Sequence, residues 1–311
     1  YPDVRITVLS KPRMAPLFAE IAQCNFVEAD VYGAHKGFGL LKLAKHVKEM
    51  GVDAVADLHQ VIRSKAITVY LSVQGITSAA LDKGRADKKA LIRRPETLRR
   101  LKSTHERYAE VFEELQLPID LASYEPPPKK ELTPDLHDAI GRHTKKMIGI
   151  APFAAYSSKM YPLNLMKEVI SHMNEGNRFK IVLFGGGKKE VEVFREWEAE
   201  YENVTNVAGK FAFKEELALI SNLDLMLAMD SGNGHLAAIY GVPVLTLWGV
   251  THPYLGFTPF RQPNDNQLIV NRDQYPLVPT SVYGNKYPPG YENAMESIPV
   301  AAIVKKIEAI T

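Results

Sequence analysis

The stretch from Leu223 to Pro253, LDLMLAMDSGNGHLAAIYGVPVLTLWGVTHP, limits the possible folds more than any other part of the chain. It opens on an apolar run, Leu225 to Met229, short enough to be a strand buried on both faces. Asp230-Ser231-Gly232-Asn233-Gly234 then supplies a tight turn, and His235 to Tyr240 reads as a short helix closed by Gly241. A second apolar strand, Val242 to Trp248, ends in Gly249-Val250-Thr251-His252-Pro253. Strand, turn, helix and strand in this order require a parallel pair, and parallel pairs belong to α/β sheets covered on both faces. In such sheets ligands bind beyond the carboxyl ends of the strands, where both of these glycine-containing loops fall.

The turn has anion-binding chemistry. Glycines allow a ligand close to the backbone, and amides opening a helix favour negative charge. Ser231 and the loop glycines offer neutral donors, and His235 a further one. An isolated Asp-Ser-Gly would do no more than cap a helix. Here Asp-Ser-Gly-x-x-His-x-Ala is followed by Gly-Val-Pro-Val-x-x-Leu-Trp-Gly-x-Thr-x-Pro. The combined pattern closely resembles the nucleotide-sugar site of the bacterial heptosyltransferases, glycosyltransferase family 9. These are GT-B enzymes that move heptose from ADP-heptose onto the lipopolysaccharide inner core.

The resemblance extends along the whole chain and is most specific from 147 to 253. Its fold implication is α/β with GT-B architecture, two Rossmann-like domains facing a cleft. Residues 1–143 would form the acceptor-side domain, ending in a linker at about 118–143 marked by Pro118, Pro126-Pro127-Pro128 and Pro134. Residues 144–311 would form the nucleotide-sugar domain, with a final helix at 299–310 crossing back to the first. The opening YPDVRITVLS resembles the family's second strand, which is normally preceded by a strand, a loop and a helix of roughly 25 residues by usual element lengths. In the family that piece carries the proposed general base, so the base is not expected among these residues.

The resemblance also assigns roles. Lys159-Met160-Tyr161-Pro162 matches a family Lys-x-Trp-Pro loop, with tyrosine for tryptophan, which makes Lys159 the group that neutralises a departing diphosphate. Glu190 aligns with a glutamate holding the donor ribose, with Glu192 as competitor. Asp230, Ser231, Gly232, His235, Gly249 and Thr251 complete the implied donor site. Asp57 and Arg63, in a segment resembling Asp-Leu-x-x-x-x-Arg-Ser, fall on the acceptor side, as does His105. Read without the family, Asp57 is a strand-end cap and Arg63 a solvated arginine. Where many family members carry a Cys-x-Pro-Cys segment, this chain has Val278-Pro279-Thr280-Ser281.

Local pattern fills in the rest. Pro12–Ala22 is expected to be helical, Asn25–Glu28 a short connection or strand, 37–50 a helix, 52–58 a strand and Val69–Val73 a further strand. The stretch from Lys83 to Arg107 is markedly basic, with Lys88, Lys89, Arg93, Arg94, Arg99, Arg100 and Lys102. It suits a solvated helix, an anionic membrane surface or an anionic acceptor. Nucleic acid is disfavoured because no aromatic-interleaved motif accompanies the charge. Cys24 is the only cysteine, which excludes an internal disulfide and fits a reducing cytoplasm. No Asp-x-Asp signature points to a catalytic metal, and no cofactor is expected. The partners implied are an ADP-sugar donor and a lipid-linked or core oligosaccharide acceptor, at the inner face of the inner membrane. The competing functions are a GT-B enzyme using another nucleotide sugar, an epimerase, and a non-catalytic sugar-nucleotide or glycan-binding protein.

Overall fold

The computed structural model describes residues 1–311. Contacts divide the chain into two compact units, 1–84 with 104–124, and 85–103 with 125–311. This division differs from a single boundary near 144. The basic segment 85–103 packs within the second unit, and so does the proline-rich stretch beginning at 125. The backbone of Lys130 is tied there on both sides, its N–H to Ser221 Oγ and its carbonyl to the Asn222 side chain.

In the first unit, β1 (Ile6–Ser10) pairs in parallel with β2 (Cys24–Glu28). Between them Pro12–Leu17 forms only a short 3-10 turn, not the expected longer helix. Pro16 inside it has no N–H to donate, so an α-helix cannot propagate. After α1 (Gly39–Glu49), β3 (Ala54–Asp57) pairs in parallel with β4 (Thr77–Ala80) across α2 (Ile62–Val73). Residues 69–73, expected as a strand, are the last turns of α2. Their β-branched side chains suit either element, and Ile67 and Leu71 decide for the helix by entering the core at i, i+4 spacing. Gly75, at φ +88°, then provides the left-handed turn that lets β4 start.

The basic segment holds α3 (Arg85–Arg93), and α4 (Thr104–Glu114) returns the chain to the first unit. Leu91 and Leu101 pack on the fully buried Leu255, the Leu101 N–H donates to the Tyr254 carbonyl, and Lys88 Nζ lies 4.1 Å from the Phe257 ring centroid. The apolar residues of this segment face inward, while Arg93, Arg94, Arg99 and Arg100 stay exposed.

The second unit continues with α5 (Pro134–Ile140), β5 (Lys146–Ala151), α6 (Leu163–Asn174), β6 (Phe179–Leu183), α7 (Lys188–Glu200), β7 (Val204–Asn206) and α8 (Phe213–Ser221). It closes with β8 (Leu225–Met229), α9 (Gly232–Ile239), β9 (Val244–Trp248), β10 (Gln267–Ile269) and α10 (Val300–Ile310). All six strands are parallel, in the order β10-β9-β8-β5-β6-β7. β5, β8 and β9 are buried almost throughout, as continuous apolar runs require in a sheet covered on both faces. The last helix packs on α6, with Ile303 and Ile307 fully buried in the core beneath β5 and β6.

The order of the strands determines where a ligand belongs. From β5 the chain winds outward to β6 and β7, then returns to β8 on the other side and continues to β9 and β10. The switch point therefore lies between β5 and β8, and the crevice beyond their carboxyl ends is the expected ligand position.

Candidate active site

Two charged side chains meet at the switch point. Lys159 follows β5 in a short 3-10 turn, and Asp230 is the residue after β8. Lys159 Nζ lies 2.9 Å from Asp230 Oδ2, with side-chain exposures of 12% and 10%. The Thr251 hydroxyl, beyond the end of β9, donates to the same carboxylate oxygen at 2.9 Å. The loops after three adjacent strands thus share one carboxylate. An ion pair this enclosed is stable only because both charges are compensated.

Next to Asp230, Ser231 occupies the N-cap of α9 in extended conformation (φ −150°, ψ 175°), yet its side chain makes no capping bond. Its Oγ is buried and has no hydrogen-bond partner. A hydroxyl in that position normally caps the helix, so this one is left unspent beside the helix amides. α9 begins at Gly232, earlier than the expected start at His235, because both glycines adopt helical geometry. Gly234 needs to be small: a Cβ there would meet Val244, Ala228 and Pro259 at 3.3–3.4 Å. His235 consequently falls in the second half of the first turn. Burial lowers its pKa against the opposing pull of Asp230, with Lys159 adding to the lowering, so the ring is neutral at pH 7. A neutral imidazole carries one N–H donor.

On the other side of the switch point, Glu190 occupies the third position of α7 and folds back so that Oε2 accepts from the Gly186 N–H at 2.8 Å. The glycine triplet permits this approach, since a Cβ on Gly185 would lie 2.6 Å from the same oxygen. Glu192 is exposed, while Glu190 is partly covered by the turn. Among the two candidates, Glu190 is the one built into a strand-end loop.

Gly249 and Thr251, expected as donor contacts, are buried. Thr251 holds Asp230, as above. Gly249 admits the loop after β5, because a Cβ would stand 2.0 Å from the Ser158 carbonyl oxygen. Sequence pattern missed Ser158 and Gly284. Ser158 Oγ donates to the Gly284 carbonyl, and both residues border the Lys159 stem. Only the left-handed φ of Gly284 sets it apart, and that is visible in coordinates alone.

The first-unit candidates are described by their own surroundings. Asp57 is 4% exposed and committed to local bonds: Oδ1 accepts from the His59 and Gln60 amides at 3.0 and 2.8 Å, and Oδ2 from Ser64 Oγ at 3.1 Å. Its strand-end capping is thus what the geometry shows. Arg63, exposed in the first turn of α2, lies 4.9 Å from the Tyr32 ring centroid, with Lys11 Nζ at 5.3 Å from the same ring. Arg63, ahead of Lys11, lowers the Tyr32 pKa. His105 packs edge-on against Tyr108 in α4.

Known proteins resemble this chain in sequence and fold. A lipopolysaccharide core heptosyltransferase of Haemophilus influenzae is 24% identical over 258 residues, covering 81% of this chain and 72% of that protein. Lipooligosaccharide heptosyltransferase 2 of Campylobacter jejuni is 28% identical over 167 residues, 52% of this chain and about half (47%) of that relative's length. The E. coli ADP-heptose lipopolysaccharide heptosyltransferase II structure superposes with a TM-score of 0.67 at 17% identity, over 100% of this chain and 90% of that one, which makes the fold that of the GT-B glycosyltransferases. The sequence profile of glycosyltransferase family 9 (heptosyltransferase) matches residues 40–288, from α1 through both loops of the switch point, and the chain therefore belongs to that family.

Proposed function

We propose that this glycosyltransferase transfers heptose from ADP-heptose to a sugar hydroxyl of the lipopolysaccharide inner core, with inversion at the anomeric carbon. The observation that carries the reading is the Lys159–Asp230 pair at the switch point, beside the unspent Ser231 hydroxyl and the first amides of α9. A diphosphate placed there meets a cation, a neutral donor and a helix N-terminus together. The E. coli relative's description names ADP-heptose, and both curated relatives are heptosyltransferases of lipopolysaccharide or lipooligosaccharide, which supports the donor and acceptor classes.

In this reading the bond between the anomeric carbon and the diphosphate oxygen breaks while the acceptor hydroxyl oxygen attacks the opposite face and gives up its proton to water. The anomeric carbon acquires oxocarbenium character, as in glycoside hydrolysis. Negative charge grows on the departing ADP, where Lys159, the Ser231 hydroxyl, the α9 amides and a neutral His235 N–H stabilise it more than in the ground state. Glu190 faces the ribose side. Asp230 is not assigned as base, because Lys159 and Thr251 both engage it. Arg63 and His105 are assigned to the acceptor, the exposed guanidinium of Arg63 suiting an anionic sugar. The reaction would take place in the cytoplasm, with the exposed arginines of 85–103 meeting an anionic membrane face.

ADP release in the presence of ADP-heptose and an inner-core acceptor tests the proposal. Turnover with ADP-heptose but not with UDP-sugars is expected. Turnover only with another nucleotide sugar, or binding of ADP-sugars with no transfer to any core acceptor, would overturn it.

A further inference from the structure

Lys159 sits in a cradle that the family pattern does not describe. Its aliphatic stem runs beside Gly284, where an added Cβ would lie 2.5 Å from Lys159 Cδ and 2.6 Å from Cγ. Gly284 has φ +84°, a conformation that side-chain-bearing residues avoid. Two side chains hold that turn. Ser158 Oγ donates to the Gly284 carbonyl, and the Gly284 N–H donates to Ser281 Oγ at 2.8 Å, both serines being nearly buried at 3% and 6% exposure. The same turn is bound to the loop after β9, with the Thr280 N–H donating to the Val250 carbonyl at 2.9 Å. The Val250 N–H in turn donates to the Ser158 carbonyl at 3.3 Å. Three loops are thus closed around one flexible side chain, and its ammonium emerges against Asp230.

We propose that Gly284 and Ser281 are positioning residues for Lys159, holding its stem so that the ammonium is presented to the diphosphate of the donor. The inference rests on the assignment of Lys159 to the diphosphate. A lysine loses substantial rotamer freedom when it binds an anion, and a walled stem has lost that freedom beforehand. Preorganisation of this kind raises affinity without adding a contact to the ligand. A methyl at Gly284 would displace the stem and strain the turn at once. Loss of the Ser281 hydroxyl would leave the Gly284 N–H without its acceptor and loosen the turn without adding atoms.

The test is a double-mutant cycle on ADP affinity by titration calorimetry with the full chain. Lys159→Ala alone should weaken ADP about tenfold, the loss of one charge-assisted contact. If it does not, the assignment of Lys159 fails, whatever the other variants do. Given that loss, Gly284→Ala should weaken ADP about as much in the wild-type background and by less than about twofold in Lys159→Ala, because it acts through the lysine. Equal losses in both backgrounds, or none in the wild type, would overturn the positioning role while leaving the diphosphate site intact. Ser281→Ala is the milder variant should Gly284→Ala fail to fold. About threefold weakening that vanishes in Lys159→Ala supports the proposal, and an additive loss refutes it. A purely structural role would lower melting temperature alike in both backgrounds and show no such coupling.

Discussion

The ion pair at the switch point sets a prediction with opposite signs for its two partners. At 2.9 Å, with an effective dielectric constant of 20, the attraction between Lys159 and Asp230 is about 6 kcal/mol before desolvation. Most of that offsets the cost of removing two charges from water. Orphaning one member of a fully buried pair costs about 3–5 kcal/mol. Here each side chain keeps about a tenth of its surface (12% and 10%), so water reaches the orphan and the cost falls to about 2 kcal/mol. Lys159→Met and Asp230→Asn should therefore each lower the melting temperature by about 4–8 °C, at about 2–4 °C per kcal/mol for a unit of this size. The double variant buries no unpaired charge and should recover most of the loss. ADP affinity should diverge. Lys159→Met removes the cation facing the diphosphate and weakens binding about tenfold. Asp230→Asn releases that cation and removes a neighbouring negative charge, so it should tighten binding severalfold. Scanning calorimetry and ADP titration of the three variants give both readouts. A double variant as unstable as the sum of the singles, or Asp230→Asn binding ADP more weakly than wild type, would refute the argument.

Four further outcomes follow from other parts of the molecule. Ser231→Glu places a carboxylate beside the α9 amides and should abolish measurable ADP binding in a calorimetric titration, and unchanged affinity would remove the turn from the site. Gly249→Ala drives a methyl into the Ser158 carbonyl oxygen, 2.0 Å away, and should cost about 3 kcal/mol in a denaturant titration. Burial, and secondarily Arg272, lowers the pKa of His252 to about 4. The unfolded chain therefore binds more protons between about pH 6.5 and 4, so His252 contributes stability above that window that is lost as pH falls through it. Melting temperature should decline over that range, and less steeply in His252→Asn. Replacing Arg93, Arg94, Arg99 and Arg100 with serine should reduce co-sedimentation with anionic vesicles at low salt, with the difference shrinking as salt rises.

The strand-turn-helix-strand geometry at the switch point was legible in part because its determinants are local. Leu225–Met229 and Val244–Trp248 are apolar runs too short for helices, and the glycines between them mark the turn. Asp230 and Lys159 are visible as residue types at loop positions, but their partnership is not. It depends on β8 lying beside β5, a strand order that no local pattern encodes. Pattern also misread Val69–Val73, where β-branched residues favour a strand and only tertiary burial of Ile67 and Leu71 settles the helix. Asp57 illustrates the reverse limit. Its sequence context resembles a functional motif, while its hydrogen bonds go to the backbone amides and serine of its own loop.

The chain crosses from one unit to the other after Gly84, after Ser103 and after Tyr124. The second unit therefore cannot be inherited or transplanted as one uninterrupted cassette. Cutting the gene once before 125 would leave behind the strap that covers Leu255 and the lysine stacked on Phe257. It would also expose the Arg272 guanidinium that now donates to the Pro95 carbonyl. Chimeras that exchange one unit between relatives of this chain should carry 85–103 with 125–311, though in the gene it lies among first-unit elements. Its exposed arginines then travel with the second unit, so that this surface charge and the switch-point loops are exchanged together.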